Sequence, residues 1–295
     1  RMSIVTWAWD NSFHPTWVRA GRGEFYEGNP PVPLPPNFPT ARDGRFGRRT
    51  WKTPTKQFAP RVWETMFAGK RVGWVVADRV SSELSNLKPR PPAVRVFDAG
   101  IGDGTVLTRV MRAMHSQFQS IPFYIVGKEI SLEDVRLALE KMPDRFFEHP
   151  ATVLVVTNMN YMDAPWLVPQ SLTEATSLVW QEVALAGNTS HQFEEQITAL
   201  QPFLAENWRT SPSKKTGNPV YDRPTVLVIY REDHRFLLDQ VIPRRGAGRA
   251  DYDLIMASQP FRARASLDFK VKRVLSPLSR ALGPGGRLLS IHSHG

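Results

Sequence analysis

From residue 93 onward, short apolar runs alternate with longer amphipathic stretches. Val94 to Phe97, Phe123 to Val126, Thr152 to Val156, Tyr252 to Ala257 and Arg287 to Ile291 have the length and the β-branched or aromatic content of strands. Behind the first run Val106-Leu107 and Val110-Met111 recur at helical spacing. Behind the second, Leu132, Val135 and Leu139 share one face, with Ser131 as N-cap. Upstream, Val62, Met66, Val72, Val75, Val76, Val80 and Leu84 predict helix within 58–87, broken at Gly69 or Gly73. Between the third and fourth runs, Leu167 to Asp251 spans 85 residues. Their pattern predicts helices over Leu172 to Ala186 and Ser190 to Trp208, then a polar loop over 211–218. A hairpin is predicted last, pairing 225–230 with 236–242.

The first run ends in Asp98-Ala99-Gly100-Ile101-Gly102-Asp103-Gly104-Thr105, so strand, glycine turn and helix follow one another. Glycine lets a backbone approach a ligand closely, and the helix behind it opens with unpaired N–H groups. A dinucleotide fingerprint would need its third glycine at position 105, which is Thr105; the third glycine here is Gly104. Asp98 at the mouth of the turn is badly placed for a pyrophosphate and well placed for a cationic ligand.

D-A-G-x-G-x-G resembles motif I of the class I S-adenosylmethionine (SAM) dependent methyltransferases. Other matches follow in order. Glu129 ends the second run, 31 residues after Asp98. Asn160-Tyr161 and Pro165-Trp166 stand where many members carry an adenine-touching loop, and Gly283-Pro284-Gly285-Gly286 turns into the fifth strand. The resemblance implies an α/β fold: a doubly wound, mostly parallel sheet with helices on both faces, plus an N-terminal extension and an inserted helical and hairpin segment. The implied organisation is a basic, Pro-rich extension and helical prelude over 1–92, a SAM-binding half over 93–166, an inserted substrate-recognition segment over 167–251 and the rest of the core over 252–295. The family ends with two further strands, so either the chain stops short of them or the 225–242 hairpin replaces them.

Resemblance also assigns roles. Asp98, Gly100, Gly102, Gly104, Glu129, Asn160, Tyr161 and Ser258 are the expected cofactor contacts, with Glu129 accepting the ribose hydroxyls. Ser258-Gln259-Pro260-Phe261 resembles the (D/N/S)-P-P-(Y/F/W) motif of enzymes that methylate conjugated amino groups, with Gln259 in place of the first proline. Gln259 and Phe261 are therefore candidate substrate contacts, as is Trp180 from the insertion. Ser258, His292 and His294 are the candidate catalytic groups, since ligands of open α/β sheets bind at the carboxyl ends of strands. The plainer readings are a strand-to-helix turn at 258–261, structural histidines, and an insertion that is scaffold or a homo-oligomer contact.

Composition narrows the class further. At 295 residues and 41% apolar content the chain suits one large domain with additions, or two small domains. It has no run of the ~18–20 apolar residues that span a bilayer. Without cysteine there is no disulfide or thiolate chemistry, and the seven histidines form no ligand cluster. A cytoplasmic, metal-free enzyme is expected. Of the net charge of +10, residues 1–92 hold 15 basic against 7 acidic residues, or +8, leaving +2 for 93–295. Six prolines in 28–39 form a polyproline-like connector, and the basic, aromatic stretch 42–52 is either a phosphate-contacting lid or a solvated loop. The expected activity is methylation of a small-molecule acceptor at N or O; the alternatives are a nucleic-acid amino-group methyltransferase and a non-catalytic SAM-binding subunit.

Overall fold

The computed structural model describes residues 3–10, 24–25, 32–33, 69–214, 217–246, 248–258 and 265–294, with side chains from Gly73 through Ile291. The chain divides into two compact units, 1–7 with 74–292 and 8–73 with 293–295. Gln259, Phe261, the 42–52 segment, residues 58–68 and most of the Pro-rich connector lie outside the described residues.

One sheet carries the first unit. Besides β1 (Ser3–Asp10) it contains β4 (Val94–Asp98), β5 (Phe123–Lys128), β6 (Thr152–Thr157), β7 (Val179–Leu185), β10 (Thr225–Arg231), β11 (Tyr252–Ser258) and β12 (Leu282–His294). Their order is β1-β12-β11-β4-β5-β6-β10-β7. β12, β11, β4, β5 and β6 run parallel, whereas β10 is antiparallel to β6 and holds β7 parallel to itself. The result is a mostly parallel α/β sheet. Every residue of β4, β6 and β10 is buried, which is why these strands are mostly apolar rather than alternating; Arg95, within β4, is buried against Asp251. In the other unit, β2 (Glu24–Phe25) and β3 (Val32–Pro33) form a short antiparallel pair.

Helices α1 (Gly69–Leu84), α2 (Thr105–Gln117), α3 (Leu132–Glu140) and α4 (Pro143–Glu148) belong to the first half of the core. α2 buries Leu107, Val110, Met111 and Met114, and α3 buries Val135, Ala138 and Leu139, the stripes their spacing predicts. Each such side chain removed from water contributes about 1.5–3 kcal/mol. Ser131 caps α3 by accepting from the Asp134 N–H at 3.3 Å. Among the described residues no helix is long and apolar enough to cross a membrane, and no cluster of three or more acids or histidines is placed to hold a metal ion.

The insertion differs from its predicted form. Only Leu172–Ser177 is helical (α5), and Val179–Leu185 is strand β7 rather than the second half of a helix. That stretch is rich in Val, Trp and Leu, and the free edge of β10 supplies the hydrogen-bond partners that turn it into a strand. α6 (Ser190–Thr198) and α7 (Gln201–Asn207) follow, separated where Pro202 opens the second helix. Next comes a small ribbon, β8 (Thr210–Pro212) against β9 (Pro219–Tyr221).

The predicted 225–242 hairpin does not form. β10 already pairs on one side with β6 and on the other with β7, so a returning strand has no edge to join. Residues 235–238 form the short helix α8 (Arg235–Leu238), with Phe236 99% exposed. β10 also lies at the opposite end of the sheet from β12, so it does not replace strands beside the fifth; β1 occupies that position. The π-helical turn Phe269–Leu275 and α9 (Ser276–Arg280) then lead into β12.

Candidate functional site

The chain runs from β4 outward to β5 and β6, then returns across β4 to β11 and β12. The carboxyl ends of β4 and β11 therefore face the crevice where strand order reverses, the place at which open α/β sheets bind ligands. Asp98 closes β4 there and the glycine turn follows at once. The turn is anchored on both flanks: the Ala99 N–H donates to the Met256 carbonyl at 2.8 Å and the Ile101 N–H to the Lys128 carbonyl at 3.1 Å.

The three glycines do different work. A Cβ on Gly100 would meet nothing nearer than the Ser258 carbonyl at 3.9 Å, and one on Gly102 (φ +53°) would meet nothing within 4 Å. Space above this part of the turn is open. Gly104 (φ +77°) is different, because a Cβ there would stand 2.8 Å from the Ala138 Cα. Its role is to let α2 and α3 pack closely, so the predicted cofactor contact at Gly104 is a packing position in the structure. Just before α2 the Asp103 carboxylate accepts from the Thr105 N–H at 3.0 Å, and Lys141 at the end of α3 reaches back to the Asp103 carboxylate at 2.8 Å and the Thr105 hydroxyl at 3.1 Å.

Asp98 is 2% exposed, and among the described residues no ion pair includes it. It accepts from the Gly100 N–H at 3.2 Å. Burial first, and the neighbouring Glu129 charge second, push its carboxyl up to about 7 against the one bond that lowers it. Glu129, half-buried just past β5, accepts from the Gly102 N–H at 3.0 Å with one oxygen. The other accepts from the Ile130 and Ser131 N–H groups at 2.8 and 3.0 Å. One carboxylate thus ties the glycine turn to the start of α3.

Tyr161 belongs to the same group: burial, then the fields of Glu129 and Asp98, push its phenol up to about 12. The Lys128 ammonium lies 4.9 Å from the Tyr161 ring centroid, and burial drives its pKa down while Glu129 holds it up. Asp98, Gly100, Gly102, Glu129, Tyr161 and the Ser258 backbone are therefore brought together. Lys128 has no motif of its own to mark it in the sequence; its position immediately before Glu129 is the available signal.

Other predicted residues fare differently. The Asn160 amide is committed locally, donating to Asp163 at 2.7 Å and to the Tyr221 hydroxyl at 3.3 Å while accepting from the Met162 N–H at 2.7 Å. It shapes the turn after β6. Trp180 lies on β7, five strands from β11, or roughly 24 Å across the sheet at ~4.8 Å per strand. Its indole N–H donates to Glu182, so the structure does not bring it to Ser258. His292 follows Ile291, the register partner of Ser258, and His294 ends β12; their side chains lie outside the described residues, as do Gln259 and Phe261. Nothing in the sequence pattern marks the role of Trp208: its indole N–H donates to the Glu129 carbonyl at 2.9 Å, fastening the insertion to the candidate site.

No protein-family model matches this sequence, and no curated protein matches it.

Proposed function

We propose that this chain binds S-adenosylmethionine at the glycine turn and transfers its methyl group to an N or O acceptor. The observation that carries the proposal is Asp98, a buried acid with no counter-charge among the described residues, opposite a second acid and beside an open glycine turn. An anionic ligand gains nothing at two carboxylates, whereas a ligand with an amino-acid cation at one end and a diol at the other complements both. The strand order β6-β5-β4-β11-β12 supports the finer reading, a doubly wound Rossmann-like core with helices on both faces.

SAM supplies a methyl group on a sulfonium, so the protein's share is alignment and exclusion of water. Asp98 would take the ligand's ammonium as a carboxylate. Glu129 would accept a ribose hydroxyl with the one lone pair left over from its three backbone bonds, and Gly100 and Gly102 would pass beneath the ligand without side chains. Acceptor groups would approach from the ends of β11 and β12, where Ser258, Gln259, Phe261, His292 and His294 are the residues to test.

Phe193 and Trp208, aromatic residues of the inserted segment, are 0% and 2% exposed and so offer no open aromatic surface to a small-molecule acceptor. That favours the second reading, an acceptor on a nucleic acid. The deciding experiment measures SAM binding by calorimetry, then transfer from labelled SAM into metabolites, RNA, DNA and protein in parallel. Absence of binding at millimolar SAM refutes the assignment.

A further inference from the structure

We infer that residues 209–214 and 217–223 form a phosphate-contacting arm that lays a nucleic acid along the edge of the candidate site. The arm is the β8–β9 ribbon with its flanks. Its strands pair Thr210 with Tyr221, Ser211 with Val220 and Pro212 with Pro219. Of the described residues from Thr210 to Val220, all but Ser213 are exposed, so the ribbon is not held by a core. A two-stranded ribbon of this kind fits the major groove of duplex DNA and can also track a single strand's backbone.

Charge is concentrated here. The arm's described residues contain Arg209, Lys214 and Arg223 against Asp222 alone, a net of +2, as much as the whole of 93–295. The rest of that region is therefore neutral overall. Arg209 and Arg223 stand at the base of the ribbon, on a cleft of about 560 Å³ also lined by Pro202, Glu206 and Asp222. Their backbones are fixed, since the Arg209 carbonyl accepts from the Asp222 N–H at 3.0 Å and the Arg223 carbonyl from the Asn158 amide at 2.9 Å. Among the described residues neither guanidinium makes a hydrogen bond or an ion pair. Glu206 and Asp222 keep the cleft itself near neutral, so the net attraction for a polyanion comes from the arm as a whole.

Position completes the argument. The Tyr221 hydroxyl at the ribbon's end bonds Asn160 in the turn after β6 and Glu174 on α5, at 3.3 and 3.2 Å. Trp208, immediately before Arg209, bonds the Glu129 carbonyl. A backbone lying along the ribbon would pass the mouth of the glycine turn. The link to methyl transfer rests on the proposed function; the binding itself does not.

The test uses the full chain with labelled 20-mer RNA, a 20-bp DNA duplex and anionic phosphatidylserine vesicles, titrated between 50 and 300 mM salt. Wild-type protein should bind at least one nucleic acid with a steep salt dependence. Arg209→Ala/Lys214→Ala/Arg223→Ala should lower affinity at least tenfold and flatten the log–log salt slope by about 2–3, at ~0.7–0.9 for each phosphate no longer neutralised. Its thermal midpoint and SAM affinity should be unchanged. Wild-type binding to vesicles alone, or a triple variant with the wild-type slope, overturns the arm. Loss of SAM binding with the nucleic-acid result intact would instead overturn only the cofactor assignment.

Discussion

Replacing Glu129 by Gln separates a ligand-binding carboxylate from a purely structural one. In the wild type its two oxygens accept three backbone N–H groups, from Gly102 on one side and from Ile130 and Ser131 on the other. An amide has one acceptor oxygen. Serving two donors, it should face Ile130 and Ser131, which turns the NH₂ toward the Gly102 N–H. Two donors then oppose each other, at a cost of about 1–2 kcal/mol for a half-buried site. For a chain of this size that lowers the thermal midpoint by roughly 2–4 °C. The NH₂ also cannot accept a hydroxyl proton. Each lost charge-assisted bond to a ribose hydroxyl is worth about 1.5–3 kcal/mol, or roughly ten- to a hundredfold in affinity. Calorimetric titration with SAM and with its demethylated product should show a loss in that range, alongside the small drop in melting temperature. If the midpoint falls while affinity stays within twofold, Glu129 only fastens the turn and the ribose lies elsewhere.

Three further outcomes follow from the site and its supports. Gly104→Ala places a Cβ 2.8 Å from the Ala138 Cα at φ +77° and should destabilise by about 2–4 kcal/mol in urea melts, whereas Gly102→Ala, at φ +53° with open space, should cost about 1 kcal/mol and act mainly on SAM affinity. Asp98, pushed up to about 7, is partly protonated in the free protein at neutral pH. A cationic ligand selects the carboxylate, so affinity should fall roughly tenfold from pH 8 to pH 6 with proton release on binding, and Asp98→Asn should abolish that dependence in calorimetry across buffers of different ionisation enthalpy. His149, 4% exposed, donates from Nε2 to the Ile121 carbonyl at 3.1 Å, leaving Nδ1 to accept from His115 at 3.0 Å. Burial lowers its pKa to about 4 from 6.5, so it favours folding above pH 6.5 and loses up to roughly 3 kcal/mol as pH falls toward 4. Asp98 runs in the opposite direction between about 4 and 7, so the measurement is the change in the pH slope of urea stability between wild type and His149→Gln; an unchanged slope refutes the His149 assignment.

What was legible in the sequence was local. β4, β5, β6, β11 and the 287–291 part of β12 announce themselves as apolar runs because buried strands need no polar face. Asp98 and the glycine turn are visible because positive φ and open backbone restrict the residue type. Ser131 shows as a cap because its hydroxyl serves an amide only three residues on. What tertiary structure decided depends on partners distant in the chain. Val179–Leu185 became a strand because β10 offered an edge, and 236–242 failed to become one because β10 had none left. Gly104 proved to be a packing residue through Ala138, 34 positions away, and the Trp208 bond to Glu129 spans 79 residues. Asn160 is spent on Asp163 and Tyr221, and Trp180 stands five strands from Ser258. Periodicity and turn chemistry record what a residue requires of its own few neighbours. Which edge is free and which acid lacks a counter-charge are properties of the assembled sheet.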